Sequence, residues 1–368
     1  MLNSNTTIAL ALSGGGIRAM VFHLGALKYY AEQGLLENIK ELSTVSGGSL
    51  IVGLIYKNNN YEWPSSKQFL DTIYENIRST LCHCDIQRIA LKSLFKPSNW
   101  RFIFSRANVL ASVIENSWGI NVKLSDIKKH PIWSINGTTA ETGRRFRFKQ
   151  DTFGDYKIGY ALSSTFSLSQ ALAVSAAFPG GIGPLAIESK RYSFLKRVQW
   201  DAPQESAVKT DLPFDVLHVY DGGIYDNLGT EPLFDSGKGE TKRKADSIIV
   251  SDAGSPLQDG FLLKAINPFR LKRVLDICME QTRALRVRSF MNYLLQDKNN
   301  GRYLLIGQKP SEILDENEMA YFKWQSSKII RQVASYPTNL KIIKADDFDA
   351  IARHGYEMAR AVETVKTT

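Results

Sequence analysis

The sequence predicts an α/β fold, a three-layer α/β/α sandwich built on a mainly parallel central sheet with helical insertions. Three observations lead there. A short β-rich run ending in glycine and followed at once by an apolar segment of helical period occurs twice in the opening part of the chain. Two later runs, "DVLHVYDGG" and "ADSIIVSDAG", again carry a short strand into glycine. No internal repeat, low-complexity tract or Pro/Gly/Ser linker divides the chain, so residues 1–368 read as one domain. Within it, about 60–130 forms a mostly helical insertion and about 264–368 a basic C-terminal helical part.

The elements follow in order. "TIALALSGGG" gives a strand and a tight turn, and "IRAMVFHLGALKYYAEQG" a helix that Gly34 closes. "IKELSTVS" gives the second strand, and "GGSLIVGLIYK" an apolar helix that begins directly after Ser46. From Tyr61 to about Lys129 the period is mostly helical, with aromatic interruptions such as "WRFIF" at Trp100 to Phe104. That run reads either as a buried core helix or as a membrane contact, since Trp and Phe beside Arg101 and Arg106 suit an interface. "WSINGTT" and "RRFRFKQ" flank the turn "AETG" as a β-hairpin, and "SLSQALAVSAAFPGGIGPL" is a small-residue helix ended by Pro179. A basic amphipathic helix spans about Pro268 to Gln296, and a strand "RYLLIG" and a helix at about Ala345 to Val365 close the chain. In the basic helix Leu271, Val274, Leu275, Cys278 and Leu285 form an apolar stripe, with Lys272, Arg273, Arg283, Arg286 and Arg288 mostly off it. Its charged face is expected in solvent or against anionic lipid.

Composition bounds the function. Apolar residues at 43% and charged residues at 23% are globular values. The formal charge is +9, and the stretch from Lys264 to Arg302 alone holds nine Lys/Arg against three Asp/Glu. An anionic partner follows, and a membrane phospholipid surface is preferred because nucleic-acid motifs are absent. The opening "MLNSN" has no positive charge, and the apolar run Ile8 to Leu12 is too short for a signal-peptide core or a span. Three cysteines, an odd number, argue against an oxidising compartment, so a cytoplasmic location is expected.

In open α/β sheets ligands bind outside the carboxyl ends of strands, which singles out three glycine-bearing strand ends. Ser46 lies between a strand and a helix, where a sharp turn can lift a nucleophilic hydroxyl into solvent. Gly48 supplies the small residue expected after it, while Thr44 stands where a glycine is expected before it; an ordinary glycine-serine turn is the other reading. Gly14, Gly15 and Gly16 precede a helix and can present amides to an anion, or simply make a tight turn. No Lys-Ser/Thr follows them as a phosphate loop demands, and the dinucleotide spacing is missing. Asp221 ends a strand, with Gly222 and Gly223 leaving its carboxylate unobstructed; an Asx-turn is its alternative.

Of the five histidines, His354 has the chain order of a hydrolase triad but reads as a solvated helical residue. His218 reads as packed or pointing away, and His23 as bonding locally. "CHCD" at Cys82 to Asp85 alternates direction and has no second cluster, so zinc is disfavoured, and no acidic loop suggests calcium. No cofactor or metal is called for.

Together, the triple-glycine loop, the serine elbow and "DGGIYDNLG" resemble the patatin-like phospholipase family, over nearly the whole chain. "GGGIRAMVFHLGALKYYAEQGLL" is similar to the family's first helix, "INGTTAETGRRFRF" to its central hairpin and "AVSAAFPGGIGP" to its A-x-S-x-A-x-P block. The resemblance implies a serine-dependent carboxylic ester hydrolase of the phospholipase A or lysophospholipase type, with a Ser46–Asp221 dyad and an acyl-enzyme intermediate. It further implies that the amides of Gly14, Gly15 and Gly16 form an oxyanion hole, with Arg18 bracing the loop and Gly48, Gly222 and Gly223 supporting the site. A carboxylate of ordinary pKa, ~4, is a weak base, so the oxyanion hole is expected to carry much of the stabilisation. The expected setting is peripheral, at a phospholipid membrane. A homo-oligomer and a small-molecule activator stay open as partners. So do two other readings, a signal-activated membrane-degrading effector of the same chemistry and a non-hydrolytic lipid- or nucleotide-binding homologue.

Overall fold

Among the described residues fourteen strands carry the architecture: β1 Ile8–Leu12, β2 Ile39–Thr44, β3 Ile132–Thr139, β4 Arg145–Phe148, β5 Thr152–Asp155, β6 Gly159–Leu162, β7 Leu185–Glu188, β8 Leu195–Lys196, β9 Val208–Lys209, β10 Val216–Asp221, β11 Phe234–Asp235, β12 Glu240–Thr241, β13 Ser247–Asp252 and β14 Gly301–Leu305. The helices are α1 Gly16–Glu32, α2 Gly47–Asn58, α3 Ser66–Gln68, α4 Tyr74–His83, α5 Ile86–Ser93, α6 Ala107–Trp118, α7 Leu168–Ser175, α8 Gly223–Asp226, α9 Phe269–Gln296, α10 Glu316–Ala320, α11 Ser327–Ala334 and α12 Ala345–Thr364. The structure, a computed structural model, describes residues 2, 5–179, 181–199, 202–242, 245–257, 259–260, 269–297 and 299–365. Pro268, expected to open the basic helix, lies outside the described residues, as do 264–267 and 366–368 of the basic C-terminal part and most of "MLNSN".

The order β14-β13-β1-β2-β3 is parallel throughout, and β4, β5, β6, β8 and β9 extend it antiparallel. The expected α/β sandwich with a mainly parallel centre is the observed fold. Its faces are legible in β1, whose residues are all buried, as both sides of a covered parallel strand must be. Ile8, Leu10 and Leu12 join the core under α1, α2 and α12. Ala9 and Ala11 face the other way, into a smaller core with Leu228, Phe234 and Phe290 of α9. Helix α1 is apolar almost all round because it lies between the sheet and α12.

One register matters for the site. β4 occupies one edge of β3, and the other edge is shared: β2 stops with Thr44 beside Ile135, and antiparallel β10 arrives with Asp221 beside Gly137. The carboxyl ends of a parallel and an antiparallel strand therefore meet, two residues apart along β3.

Two expectations change. Helix α9 has its amphipathicity inverted: Leu271 is 78% exposed and Leu285 62%, while Arg283 and Arg286 turn inward. The cause lies on the sheet side, where Asp252 and Asp226 are buried and Glu231 stands beside them. Secondly, "WRFIF" is no buried helix. It lies in a short 3₁₀ turn, Pro97–Phe102, and its continuation, with Trp100 64% and Phe104 89% exposed. The helix before Pro179 ends at Ser175. Among the described residues no helix is long and apolar enough to cross a membrane.

Candidate active site

Ser46 sits at φ 51° and ψ −120°, backbone that a side-chain-bearing residue rarely adopts. Such strain persists only where neighbours over-determine it, and here they do. Val45 N–H donates to the Leu12 carbonyl at 3.1 Å, and the Ser46 carbonyl accepts from Ser49 and Leu50 N–H at 2.9 and 3.0 Å, opening α2. Ser46 N–H itself donates to Ser175 Oγ at 2.9 Å. Gly48 is required by contact: a Cβ there would run into the Leu12 carbonyl oxygen, so only glycine lets α2 leave this close to β1.

Around the elbow, one proton per hydroxyl orders a chain of hydrogen bonds. Ser175 Oγ donates to the Asn136 carbonyl at 2.9 Å, so its contact of 2.8 Å with Ser49 Oγ is one it accepts. Ser49 is then the acceptor from Thr44 Oγ1 at 2.8 Å, and Thr44 accepts from Trp133 Nε1 at 2.9 Å. Asn136 Nδ2 completes the frame by donating to the Thr44 carbonyl at 3.0 Å.

The glycine loop differs from expectation in one amide. Gly14 N–H donates to the Asn227 carbonyl at 3.0 Å and is not offered to the site. The amides of Gly15 and Gly16 make no hydrogen bond among the described residues, and both glycines hold positive φ, 147° and 61°. Arg18 is buried; its Nε and Nη2 donate to the Ala253 carbonyl at 3.1 and 3.0 Å and Nη1 to the Tyr336 carbonyl at 2.5 Å. Burial lowers its pKa to about 10, with Asp252 opposing. The guanidinium thus fixes the start of α1 to the end of β13.

Asp221 is 3% exposed. Its Oδ1 accepts from Gly223 N–H at 2.7 Å, its backbone N–H donates to the Ala177 carbonyl at 3.1 Å, its carbonyl accepts from the Thr138 hydroxyl at 2.9 Å, and the neighbouring Ser46 hydroxyl favours the ionised carboxylate. Burial dominates these bonds and pushes the carboxyl up to about 7. The ordinary value of about 4 assumed from sequence is therefore wrong for this group, and the weak base becomes one matched to neutral pH. Gly222 is needed where the chain crosses β3: a Cβ would stand 2.6 Å from the Asn136 carbonyl oxygen.

Among the described residues no histidine hydrogen-bonds Ser46 or Asp221. His354 is fully buried, not solvated, with Nε2 against the Ile306 carbonyl at 2.8 Å, and burial lowers its pKa to about 4. His23 bonds across the sheet rather than locally, through Nδ1 to Ser251 Oγ at 2.8 Å and Nε2 to the Ser13 carbonyl at 3.0 Å. His218 is exposed, with Nδ1 2.8 Å from Glu141.

Sequence reasoning missed Ser175, Asn136 and Asn227. Each lies inside a motif already singled out, but polar contacts between distant strands leave no spacing signal. Asn227 Oδ1 fills the space between Gly14 and Gly223, so that a Cβ on either would run into it.

A family model described as patatin-like phospholipase matches residues 10–234. No curated protein matches in sequence. Among solved structures, human GIVD cytosolic phospholipase A2 superposes with a TM-score of 0.53 at 14% identity, covering 98% of this chain and 60% of that one. The same human protein in complex with methyl gamma-linolenyl fluorophosphonate gives 0.50 at 15% identity, covering 98% and 59%. VipD from Legionella pneumophila gives 0.34 at 13% identity, covering 98% and 67%. This chain thus spans about three-fifths of the length of the human protein, and the likeness is one of fold.

Proposed function

This chain belongs to the patatin-like phospholipase family, and we propose that it is a lipid acyl hydrolase that cleaves fatty-acyl esters of membrane glycerophospholipids through a Ser46–Asp221 dyad. The observation that carries this reading is the strained Ser46 elbow beside the buried Asp221 carboxyl, whose pKa burial pushes up to about 7. In the first step Asp221 takes the Ser46 proton as Oγ bonds to the ester carbonyl carbon, and the carbonyl oxygen becomes the oxyanion. The amides of Gly15 and Gly16 receive it, each donor of this kind contributing roughly 3–4 kcal/mol. Collapse expels the lyso-lipid alcohol, which takes the proton back from Asp221 and leaves an acyl-Ser46 ester. Water then gives up a proton to Asp221 as its oxygen bonds to the acyl carbon, and collapse releases the fatty acid from Ser46 Oγ, which takes the proton back from Asp221. The histidines stay outside this proton path.

Substrate delivery fits the exposed insertion. Phe95, Trp100, Ile103 and Phe104 face solvent beside exposed Lys92, Lys96 and Arg101, a pairing of aromatic and cationic groups suited to a bilayer interface. The insertion is tied to the catalytic sheet, with Ala186 N–H donating to Asn108 Oδ1 at 3.2 Å.

The test is fatty-acid release from phosphatidylcholine vesicles by the wild type, Ser46→Ala and Asp221→Asn, with fluorophosphonate labelling of Ser46. Release undiminished in either variant refutes the dyad. Loss of release without labelling favours a lipid-binding protein.

A further inference from the structure

The sheet face toward α9 carries a second cluster of charge that acyl hydrolysis leaves without a task. Arg145 and Arg147 are two residues apart on β4, opposite Thr138 and Asn136, so both side chains rise from one face. Arg145 makes one long contact, Nη1 to Asn136 Oδ1 at 3.4 Å. Burial and then the Arg147 charge lower its pKa to about 10. Arg147 lies over the Tyr160 ring, 4.2 Å from its centroid, and its buried Nε has no hydrogen-bond partner among the described residues. Arg197 adds a third charge near Tyr160 and is anchored by Nη1 to the Ala202 carbonyl at 2.9 Å.

The carboxylates that could neutralise this cluster are engaged. Glu231 pairs with Lys242 and Arg286 at 2.9 and 2.6 Å. Asp226 accepts from Leu228 and Glu231 N–H at 3.1 and 2.8 Å, and Asp155 from the Thr139 and Thr142 hydroxyls at 2.8 and 2.7 Å. Among the described residues none of the three arginines has an ion-pair partner. The part-buried guanidiniums of Arg145 and Arg147, of like charge, would normally share a carboxylate or an anion, with exposed Arg197 at the rim, and planar N–H forks held side by side match the oxygens of a phosphate.

We propose that Arg145, Arg147 and Arg197 form a second binding site, separate from Ser46, for a phosphate group carried on either a soluble phosphate ester or a lipid headgroup. The site adjoins the elbow, because Asn136, which Arg145 touches, also holds Thr44 and Ser175.

The test reads binding, in a Ser46→Ala background, so its result stands whether or not Ser46 is the nucleophile. Inorganic pyrophosphate titrated by calorimetry represents the soluble source, and co-sedimentation with phosphatidic-acid vesicles the lipid source. Arg147→Gln and Arg197→Gln are expected to weaken one of these probes about tenfold or more, and the probe affected names the source. Arg331→Gln, exposed on α11 and away from both the site and the insertion, controls for general loss of charge. Should Arg147→Gln fail to fold, Arg197→Gln, at an exposed position, carries the test. The proposal is overturned if neither probe responds to the substitutions, or if Arg331→Gln weakens the same probe equally.

Discussion

Replacing Asp221 by Asn changes almost no volume but removes a charge from a dry site, and the consequences for stability and for activity should run in opposite directions. Burial moves this carboxyl from 3.8 to about 7. At about 1.36 kcal/mol for each pH unit, the ionised form is disfavoured in the folded protein by about 4 kcal/mol. The folded carboxyl keeps its proton to higher pH than the unfolded one, so from pH 3.8 to about 7 the native state binds more protons and stability falls as pH rises. A neutral Asn escapes that loss. Urea unfolding should show Asp221→Asn more stable than the wild type by about 4 kcal/mol at pH 8 but by under ~2 kcal/mol at pH 5. The wild-type kcat/KM should rise with pH and be half-maximal near pH 7, while the variant loses about 10²–10⁴-fold at every pH. A stability difference that is constant with pH, or a wild-type profile half-maximal near pH 4, would refute the reasoning.

Three other outcomes follow from the same contacts. Phe104→Asp combined with Trp100→Asp should weaken sedimentation with anionic vesicles at least about tenfold and leave hydrolysis of a monomeric soluble ester unchanged, since burying each ring contributes about 1.5–3 kcal/mol. Arg283→Gln strips Asp252, which has no exposed surface, of its cation but leaves it Tyr303 and Gly254 as donors at 2.6 and 2.9 Å; urea unfolding should show a loss of about 2–3 kcal/mol. Thr44→Gly leaves Trp133 Nε1 and Ser49 Oγ short of a partner in a fully buried setting, so thermal unfolding should report a loss of about 2–3 kcal/mol. Its rate of fatty-acid release should fail to rise; a gain would mean that the elbow is hindered by the threonine.

The elements were legible where period and punctuation act locally. Strand, glycine turn and helix at Ile8 to Leu27 and at Ile39 to Ile55 follow from hydrophobic pattern alone, and so does the pairing of β3 with β4. Charge could not be placed the same way. Arg283 and Arg286 read as solvent-facing because the helical pattern shows only their own element, while the acids that draw them in stand on β13, at the end of α8 and in the loop after it. The pKa of Asp221 was equally hidden, since burial is a property of what packs on the carboxylate and not of its neighbours in sequence. Gly14 misled for a related reason: three glycines advertise three amides, and only the fold reveals that Asn227 claims one.

Thr44 shows how a departure from a motif can be part of the device. A glycine at that position would serve only to let strand and helix pass, and the close passage here falls instead on Gly48 against Leu12. What the turn needs on the strand side is restraint, because Ser46 at φ 51° relaxes toward ordinary backbone unless it is held. Thr44 supplies it: its hydroxyl links Trp133 to Ser49, Ser49 to Ser175, and Ser175 takes the Ser46 amide. The same run ends on the Asn136 carbonyl, the oxygen that also forbids a side chain at Gly222 beside Asp221. Nucleophile and base are thus positioned against one peptide group of β3. A displacement of that strand would move both together, preserving the contact between Ser46 and Asp221 on which the proton transfer depends.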